Sequence, residues 1–415
     1  MKKAILFVPF WGQEGHIGNL RVDRFRRWLI SDDYYVVIIK AGITGKINKT
    51  PWGVEITVKD PLGLYKDKKD NDNLTTHRKP NKLRRKLAYL LFNPDPGIVW
   101  SRLAAANSIV YEYVNDADFI MSSNPPESSH IGAWRLATRC GIPHIVDMRD
   151  GWLDEPLKPI LRKSRIRRWL EARIERKILL NSVAITVSSD VWKELLCNRI
   201  NDVRHKITTL TNGYPVTDKK YKFQSDYPET KNELLLVHGG KFTGSDPRRS
   251  PVALLEPLLS EIVGSDTVGA IKLIGSLSNE ERQIINKYKD RFKENGWRID
   301  CPGPLHRDEL IELFYKANGL LLLSVTYAQI PGKLFEYIPA GRPILVVTES
   351  NSATWRVCEK LPQAFLLDLT KKNNTSLTHD FISAAKLETH IYEVPSQYSE
   401  EFLSKEMHDV ISQAI

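Results

Sequence analysis

The stretch Pro331-Gly332-Lys333-Leu334-Phe335-Glu336-Tyr337-Ile338-Pro339-Ala340-Gly341-Arg342-Pro343 decides how this chain is read. It follows an unbroken apolar run, Leu320 to Leu323, which has the character of a buried strand. Pro331 and Gly332 carry a turn signal, and Lys333 to Ile338 reads as the start of a helix. Strand, turn and helix in that order make part of a βα unit. The pattern predicts backbone N–H groups aimed outward at the helix N-terminus, where an anion fits. Lys333 adds a positive charge, and Glu336 adds an acceptor one turn later on the same face. Free amides and a cation suit phosphates, and the carboxylate suits ribose hydroxyls. Together they fit a nucleotide-sugar better than a bare metal ion.

Working outward, the same alternation recurs on both sides. The 415 residues are too many for one ordinary core and predict two α/β domains. The first opens with a strand from Ala4 to Pro9. A loop bearing Gly12, Gly15 and Gly18 follows, then a helix from Arg21 to Leu29 and a strand from Tyr35 to Ile39. That is βαβ order, so a parallel sheet is expected. Residues 42–81 are polar and turn-rich. Helices are expected over Leu87–Phe92, Ala104–Tyr113, Ser128–Cys140 and Ile160–Leu180, and strands over Phe119–Ser122, His144–Met148 and Val183–Val187. Tyr214 to Lys231 is polar, holds two prolines and lacks apolar periodicity, and reads as the crossing between domains. Beyond it, strands are expected at Leu234–His238, Ala270–Ile274, Trp297–Asp300, Leu320–Leu323 and Ile344–Val347. Helices are expected at Val252–Ile262, Glu309–Ala317, Lys333–Ile338, Phe381–Tyr392 and Glu400–Ile415. The resulting division is residues 1–213, residues 232–385 and terminal helices over 386–415.

Composition narrows the classes. Hydrophobic content of 42% and charged content of 27% are those of a soluble globular chain. Cys140, Cys197, Cys301 and Cys358 are scattered without metal or redox spacing, which points to a reducing, cytoplasmic compartment and no structural metal. Met1 to Pro9 reads as a first strand rather than a signal peptide, and no apolar run has the length of a membrane span. The net charge of +10 favours a polyanionic partner or an anionic membrane face. Two basic runs, His77–Lys86 and Lys158–Lys177, carry much of it. The second interleaves Ile160, Leu161, Ile166, Trp169, Leu170 and Ile174 with its cations. It reads either as a membrane-surface helix or as a solvated helix whose apolar side faces its own domain.

Candidate binding groups lie at strand ends, where doubly wound sheets place ligands. After the first strand, Gly15 and Gly18 permit close approach of a ligand and His16 offers a polar contact. The spacing is neither a phosphate-loop nor a dinucleotide fingerprint. Asp147, Arg149, Asp150 and Trp152 end another strand. Asp150 is a candidate to bind an acceptor hydroxyl or take its proton, against the plainer reading of an Asp–Arg brace. Ser122, Ser123, Asn124 and His130 lie near a neighbouring strand end. In the second domain, Gly239-Gly240-Lys241 with Arg248 and Arg249 suits a diphosphate. Gly303 and His306 are weaker candidates for a base edge. No zinc-protease motif, serine elbow or RNA-binding aromatic motif is present.

These residues in this order resemble the GT-B glycosyltransferases, in the large retaining class called family four and its bacterial polysaccharide branch. The resemblance covers almost the whole length. Beside residues 331–345 it rests on Ser122-Ser123-Asn124-Pro125-Pro126, on Gly141-Ile142-Pro143 with Asp147-Met148-Arg149-Asp150-Gly151-Trp152, on Thr211-Asn212-Gly213-Tyr214, and on Gly240, Phe242, Gly244, Asp246-Pro247 and Leu254-Leu255. It implies two Rossmann-like domains facing each other across a cleft, and hexosyl transfer from a nucleoside-diphosphate sugar with retention at the anomeric carbon. No cofactor is implied beyond that donor. Lys333 and Arg248 or Arg249 would clasp the diphosphate, and Glu336 would take the ribose hydroxyls. Gly15 would approach the phosphates or the transferred sugar, and Asp150 would stand on the acceptor side. The terminal helices would pass back to the first domain. Many members carry a second glutamate where this chain has Ala328; backbone amides around Ala328 to Ile330, with Gly332, would then serve the donor. The implied acceptor is a growing glycan, free or lipid-linked, with the basic runs holding the enzyme on an anionic inner leaflet and no nucleic acid involved. A non-catalytic GT-B protein, or a transferase acting on a protein or a small soluble molecule, are the other readings.

Overall fold

The computed structural model describes residues 2–13, 18–65, 88, 91–154, 164–214, 233–242, 248–371, 375–387 and 392–415. Contacts divide the chain into two compact units, Met1–Thr211 with Leu403–Ile415, and Asn212–Phe402.

The strands of the first unit are β1 (Lys3–Phe7), β2 (Tyr35–Gly42), β3 (Lys46–Thr50), β4 (Gly53–Lys59), β5 (Phe119–Ser123), β6 (His144–Met148), β7 (Ala184–Val187) and β8 (Ile207–Thr209). They form one sheet in the order β3-β4-β2-β1-β5-β6-β7-β8. Every pairing is parallel except β3 with β4. Apolar side chains point to both faces, which is why β1 reads as an unbroken apolar run. Ala4 and Leu6 join one buried cluster, and Ile5 and Phe7 join the other. The helix Glu400–Ala414 packs Leu403, Met407, Val410 and Ile411 into the first of these clusters. That spacing is one face of a helix.

The second unit holds β9 (Glu233–Gly239), β10 (Val268–Ile274), β11 (Trp297–Gly303), β12 (Gly319–Ser324), β13 (Ile344–Thr348) and β14 (Ala364–Asp368). All its pairings are parallel, in the order β11-β10-β9-β12-β13-β14. Strand order reverses between β9 and β12, and the ends of strands on either side of such a reversal are where this architecture offers a ligand crevice.

Several elements differ from the sequence reading. The polar stretch after β2 contains the hairpin β3–β4. β3 is an exposed edge strand, Lys46-Ile47-Asn48-Lys49-Thr50, with almost no apolar pattern, and pairing rather than burial defines it. The helix Asn279–Glu294 went unread because most of its positions are charged or polar, and it buries only Glu281, Ile285 and Phe292. Its start was nevertheless legible in the capping box of Ser278 and Glu281. The helix expected over Ala104–Tyr113 is two, Ile98–Ala106 and Ser108–Val114, divided where Asn107 caps the second by accepting from the Val110 N–H. The helix expected at Phe381–Tyr392 instead runs Thr375–Lys386. β14 and the short helix Ala353–Cys358 went unread. The expected crossing and the basic run His77–Lys86 lie outside the described residues, except Tyr214.

Candidate functional site

The second unit gathers cations at the ends of β9 and β12. His238, the penultimate residue of β9, is buried and stacks on Phe242, with ring centroids 4.3 Å apart and planes at 14°. Its Nδ1 lies 2.9 Å from the carbonyl oxygen of Leu321, in β12. A carbonyl only accepts, so Nδ1 carries the hydrogen and Nε2 keeps its lone pair. That lone pair faces Lys333 Nζ at 3.3 Å. The Gly239 N–H donates to Tyr337 Oη at 2.8 Å, and the Tyr337 hydroxyl donates to the same Leu321 carbonyl at 3.3 Å. One carbonyl thus ties together β9, β12 and the turn of helix that carries Lys333.

Gly240 is required by this packing. Its φ is +111°, and a Cβ there would stand 3.1 Å from Lys333 Nζ. Burial, and then the field of Arg249, push the Lys333 ammonium down to about 7, with Glu336 acting the other way. Burial first, and then Lys333, hold His238 well below the usual imidazole range, and Arg249 adds to them against the Leu321 bond. Lys333 and His238 are thus in contact, Arg249 from the following loop lies within electrostatic reach of both, and positive charge on either is disfavoured by its neighbours. A bound anion relieves that repulsion. Glu336 lies beside them, and its Oε1 accepts from Arg307 Nη2 at 3.1 Å and Nε at 3.3 Å.

The remaining predicted residues of this unit divide. Arg249 is half-buried within the electrostatic reach of Lys333, whereas Arg248 is exposed. Ile330 packs its side chain against the cluster that includes Leu334 and Phe335. Gly332 is exposed, with open space around its α-carbon. The predicted anion seat on bare helix amides is narrower than expected. The helix is only Leu334–Tyr337, and it passes into a 3-10 turn at Ile338–Ala340. The Leu334 N–H donates to the Pro331 carbonyl at 3.0 Å and the Phe335 N–H to the Gly332 carbonyl at 3.1 Å. The amides of Leu334 and Phe335 are thus taken within the turn, and the side-chain cations add to the electropositive character.

In the first unit, Gly15 and His16 lie outside the described residues. Asp147 is fully buried and saturated. It accepts from Arg21 Nη2 at 2.7 Å, Ser123 Oγ at 2.6 Å and Thr186 Oγ1 at 2.7 Å. Burial alone would raise its pKa, but the Arg21 guanidinium and the two hydroxyls hold it below the usual carboxylate range. Arg21 also donates to the Leu210 carbonyl at 2.9 Å. Asp147 is therefore a brace of the sheet rather than a group presented to a ligand. Asp150 stands apart from that network. Its backbone exchanges hydrogen bonds with the Asn124 amide at 2.9 and 3.3 Å, and its partly exposed carboxylate faces Arg149 Nη2 at 3.4 Å. Ser122 Oγ bridges His130 Nδ1 at 2.7 Å and His144 Nε2 at 2.8 Å in the buried interior. Burial and the nearby His130 push His144 down to about 3, so it stays neutral.

The described part of the Lys158–Lys177 run is inverted relative to an ordinary surface helix. Over Arg165–Asn181 the side turned into the unit carries Arg167, Glu171 and Glu175, together with Ile178 and Leu179. Ile166, Trp169 and Leu170 are 75%, 56% and 42% exposed. Arg173 stacks on Trp169 at 4.9 Å. The expectation that the apolar side faces its own domain fails for these turns, because the inward positions are taken by the ion pair of Arg167 with Glu171 and the bond from Trp152 Nε1 to Glu171.

Sequence reasoning missed His238, Arg21, Arg307 and Tyr337. A polar residue directly before Gly239-Gly240 in an apolar strand was the one local signal for His238.

No protein-family model matches this chain, and no curated protein matches its sequence. Its architecture is nevertheless similar to solved structures over nearly full length. HepE of Anabaena, in complex with UDP and glucose, is 10% identical at a TM-score of 0.56, covering 99% of this chain and 100% of that one. A glycosyltransferase from Rickettsia africae ESF-5 is 10% identical at a TM-score of 0.56, covering 100% and 98%. UDP-GlcNAc 2-epimerase from Methanocaldococcus jannaschii is 11% identical at a TM-score of 0.52, covering 99% of each. At such identities the likeness shows the fold, which is that of the GT-B glycosyltransferases. The epimerase shows that a related architecture also serves a reaction other than transfer.

Proposed function

We propose that this protein is a glycosyltransferase that moves a hexosyl group from a nucleoside-diphosphate sugar to a glycan or lipid-linked glycan. The reading further places it in the retaining family-four class, in bacterial polysaccharide and cell-envelope synthesis. The observation that carries the donor assignment is Lys333 standing over Gly240 at the end of β9, held by His238 and within the electrostatic reach of Arg249. Two mutually repelling cations at the reversal of strand order are what a diphosphate satisfies. That the similar HepE structure holds UDP and glucose supports the same ligand class here.

In this reading the bond between the anomeric carbon and the diphosphate breaks as the acceptor oxygen bonds to that carbon. Lys333 and Arg249 neutralise the charge growing on the leaving diphosphate. Glu336 takes the ribose hydroxyls, with Arg307 fixing its carboxylate. The acceptor proton passes to the leaving phosphate oxygen on the same face, and Asp150 serves on the acceptor side. Gly15 and His16 belong to the donor contacts, together with Ile330, Gly332 and the more exposed Arg248.

The acceptor reading rests on the helix Arg165–Asn181. Exposed Ile166, Trp169 and Leu170 beside Arg165, Arg168, Arg173 and Arg176 fit an anionic membrane surface. Among the described residues no helix is long and apolar enough to cross a membrane, so the contact proposed is peripheral. The deciding experiment is a panel of nucleotide-sugars incubated with lipid-linked and soluble acceptors, with nucleoside-diphosphate release measured. Acceptor-dependent release is expected. Acceptor-free interconversion of a nucleotide-sugar would favour an epimerase, and silence across the panel would favour a binding protein. Flotation with anionic liposomes at low salt, lost at high salt, is the expected outcome for attachment. Equal recovery with neutral lipid would move the acceptor to a soluble one.

A further inference from the structure

We propose that His238 is a positioning residue for Lys333: held by the Leu321 carbonyl and by Phe242, it presents one fixed lone pair that aims the ammonium at the donor diphosphate. The inference rests on the donor reading above. A lysine has four rotatable side-chain bonds and a strongly hydrated head, so placing it over a glycine requires an acceptor. Its neighbours supply few. Arg249 is a cation, and the Glu336 carboxylate takes two bonds from Arg307. The Tyr337 hydroxyl accepts from Gly239 and donates to Leu321. Nε2 of His238, 3.3 Å from Nζ, is the acceptor aimed at it.

The imidazole suits this task in a way that a carboxylate does not. Fixed as the Nδ1–H tautomer, it accepts one hydrogen bond and adds no charge. It therefore orients Lys333 without neutralising the field that attracts the diphosphate. Its own protonation would turn the acceptor into a second donor and a like charge. Burial, Lys333 and Arg249 all oppose that change.

The test compares His238→Phe, which keeps a ring stacked on Phe242 but has no lone pair, with His238→Gln, whose side-chain oxygen replaces Nε2. Affinity for UDP, GDP, ADP, CDP and dTDP is measured by calorimetry, and the tightest becomes the probe. His238→Phe is expected to weaken that probe about tenfold, the range of one charge-assisted bond, and His238→Gln to recover most of the loss. In a Lys333→Met background, His238→Phe should change affinity less than twofold, because the group it positions is gone. An equal loss in both backgrounds, or no recovery with glutamine, overturns the proposal. A second readout needs no nucleotide. Pulse acetylation of Lys333 across pH 6 to 10, read by mass spectrometry, should show its titration moving to lower pH in His238→Phe and returning in His238→Gln, since a lost acceptor disfavours the ammonium. If no nucleotide binds the wild-type protein, the donor reading falls. The lysine titration then still decides whether His238 holds Lys333, and an unmoved midpoint rejects it.

Discussion

Asp147 and Lys333 are both charged groups near the C-terminal ends of parallel strands, and their surroundings are opposite. Asp147 is met by a guanidinium and two hydroxyls, all buried with it. Lys333 is met by a neutral imidazole and the field of a second cation. The first arrangement is complete without a ligand. The second leaves an excess of positive charge in a desolvated place, which folding alone has no reason to build. A strand-end charge is therefore read by the balance around it rather than by its position. By that measure the proposed ligand site lies in the second unit, and Asp147 braces the first unit's sheet.

The contrast breaks most readily through stability. Arg21→Met would leave the Asp147 carboxylate buried without its guanidinium, and should destabilise by about 3–5 kcal/mol. Urea unfolding followed by tryptophan fluorescence measures it, and an unchanged midpoint would show that Asp147 is not a brace. Lys333→Met should leave the midpoint unchanged or raise it, because a cation is removed from beside another. Its expected loss appears in turnover instead, about a hundredfold, or ~3 kcal/mol of leaving-group stabilisation. Near-normal sugar transfer by a folded Lys333→Met enzyme would end the assignment of that residue.

The same contrast separates what the sequence shows from what it hides. Lys333, Glu336, Gly240 and Arg249 stood out in the sequence because each lies in the segment that follows a strand, and a strand–turn–helix pattern is local. The partners that give those residues meaning are remote. His238 and Lys333 are 95 positions apart, and Arg21 and Asp147 are 126 apart. No periodicity connects such pairs, so Asp147 and Asp150 looked alike in sequence although one is saturated and the other partly exposed. Part of the amide set expected after Pro331 is lost for a different reason. The Leu334 and Phe335 amides of this short helix close on the carbonyls of Pro331 and Gly332 before they can be offered elsewhere. In the fold, the alternation of apolar strands and amphipathic helices was plain. β3 escaped because an exposed edge strand has no buried face to write into its sequence.

Glu336 sharpens the comparison at a smaller scale, since it is the acid placed among the cations. Glu336→Gln keeps the shape while weakening charge-assisted bonds to hydroxyls. Nucleoside-diphosphate affinity should fall about tenfold, or ~1.4 kcal/mol, with the bond-breaking step little changed. Calorimetry and single-turnover kinetics together decide this. Unchanged affinity with lost turnover would move Glu336 into the chemistry.

The smallest expected effect is a pH dependence belonging to the second unit alone. Lys333 sits at about 7 without donor, lowered from its ordinary value by burial and Arg249. For folding, a depressed lysine means that the unfolded chain binds more protons between about 7 and 10.5, so the penalty of burying it is full below that window and lifts as pH rises through it. For binding the sign is reversed, because a diphosphate favours the ammonium and draws a proton onto Lys333. Nucleotide affinity should therefore decline between pH 6.5 and 8, by roughly tenfold at most, and calorimetry in buffers of different ionisation enthalpy should show uptake of about half a proton per nucleotide at pH 7. Lys333→Met should abolish both the slope and the uptake. Asp147 and Arg21 lie in the first unit, outside the cluster around Lys333, so Arg21→Met should leave the pH dependence of nucleotide affinity intact. A slope that survives Lys333→Met would belong to the nucleotide or to another group, and the excess charge at the ends of β9 and β12 would then lose its claim to titrate with the donor.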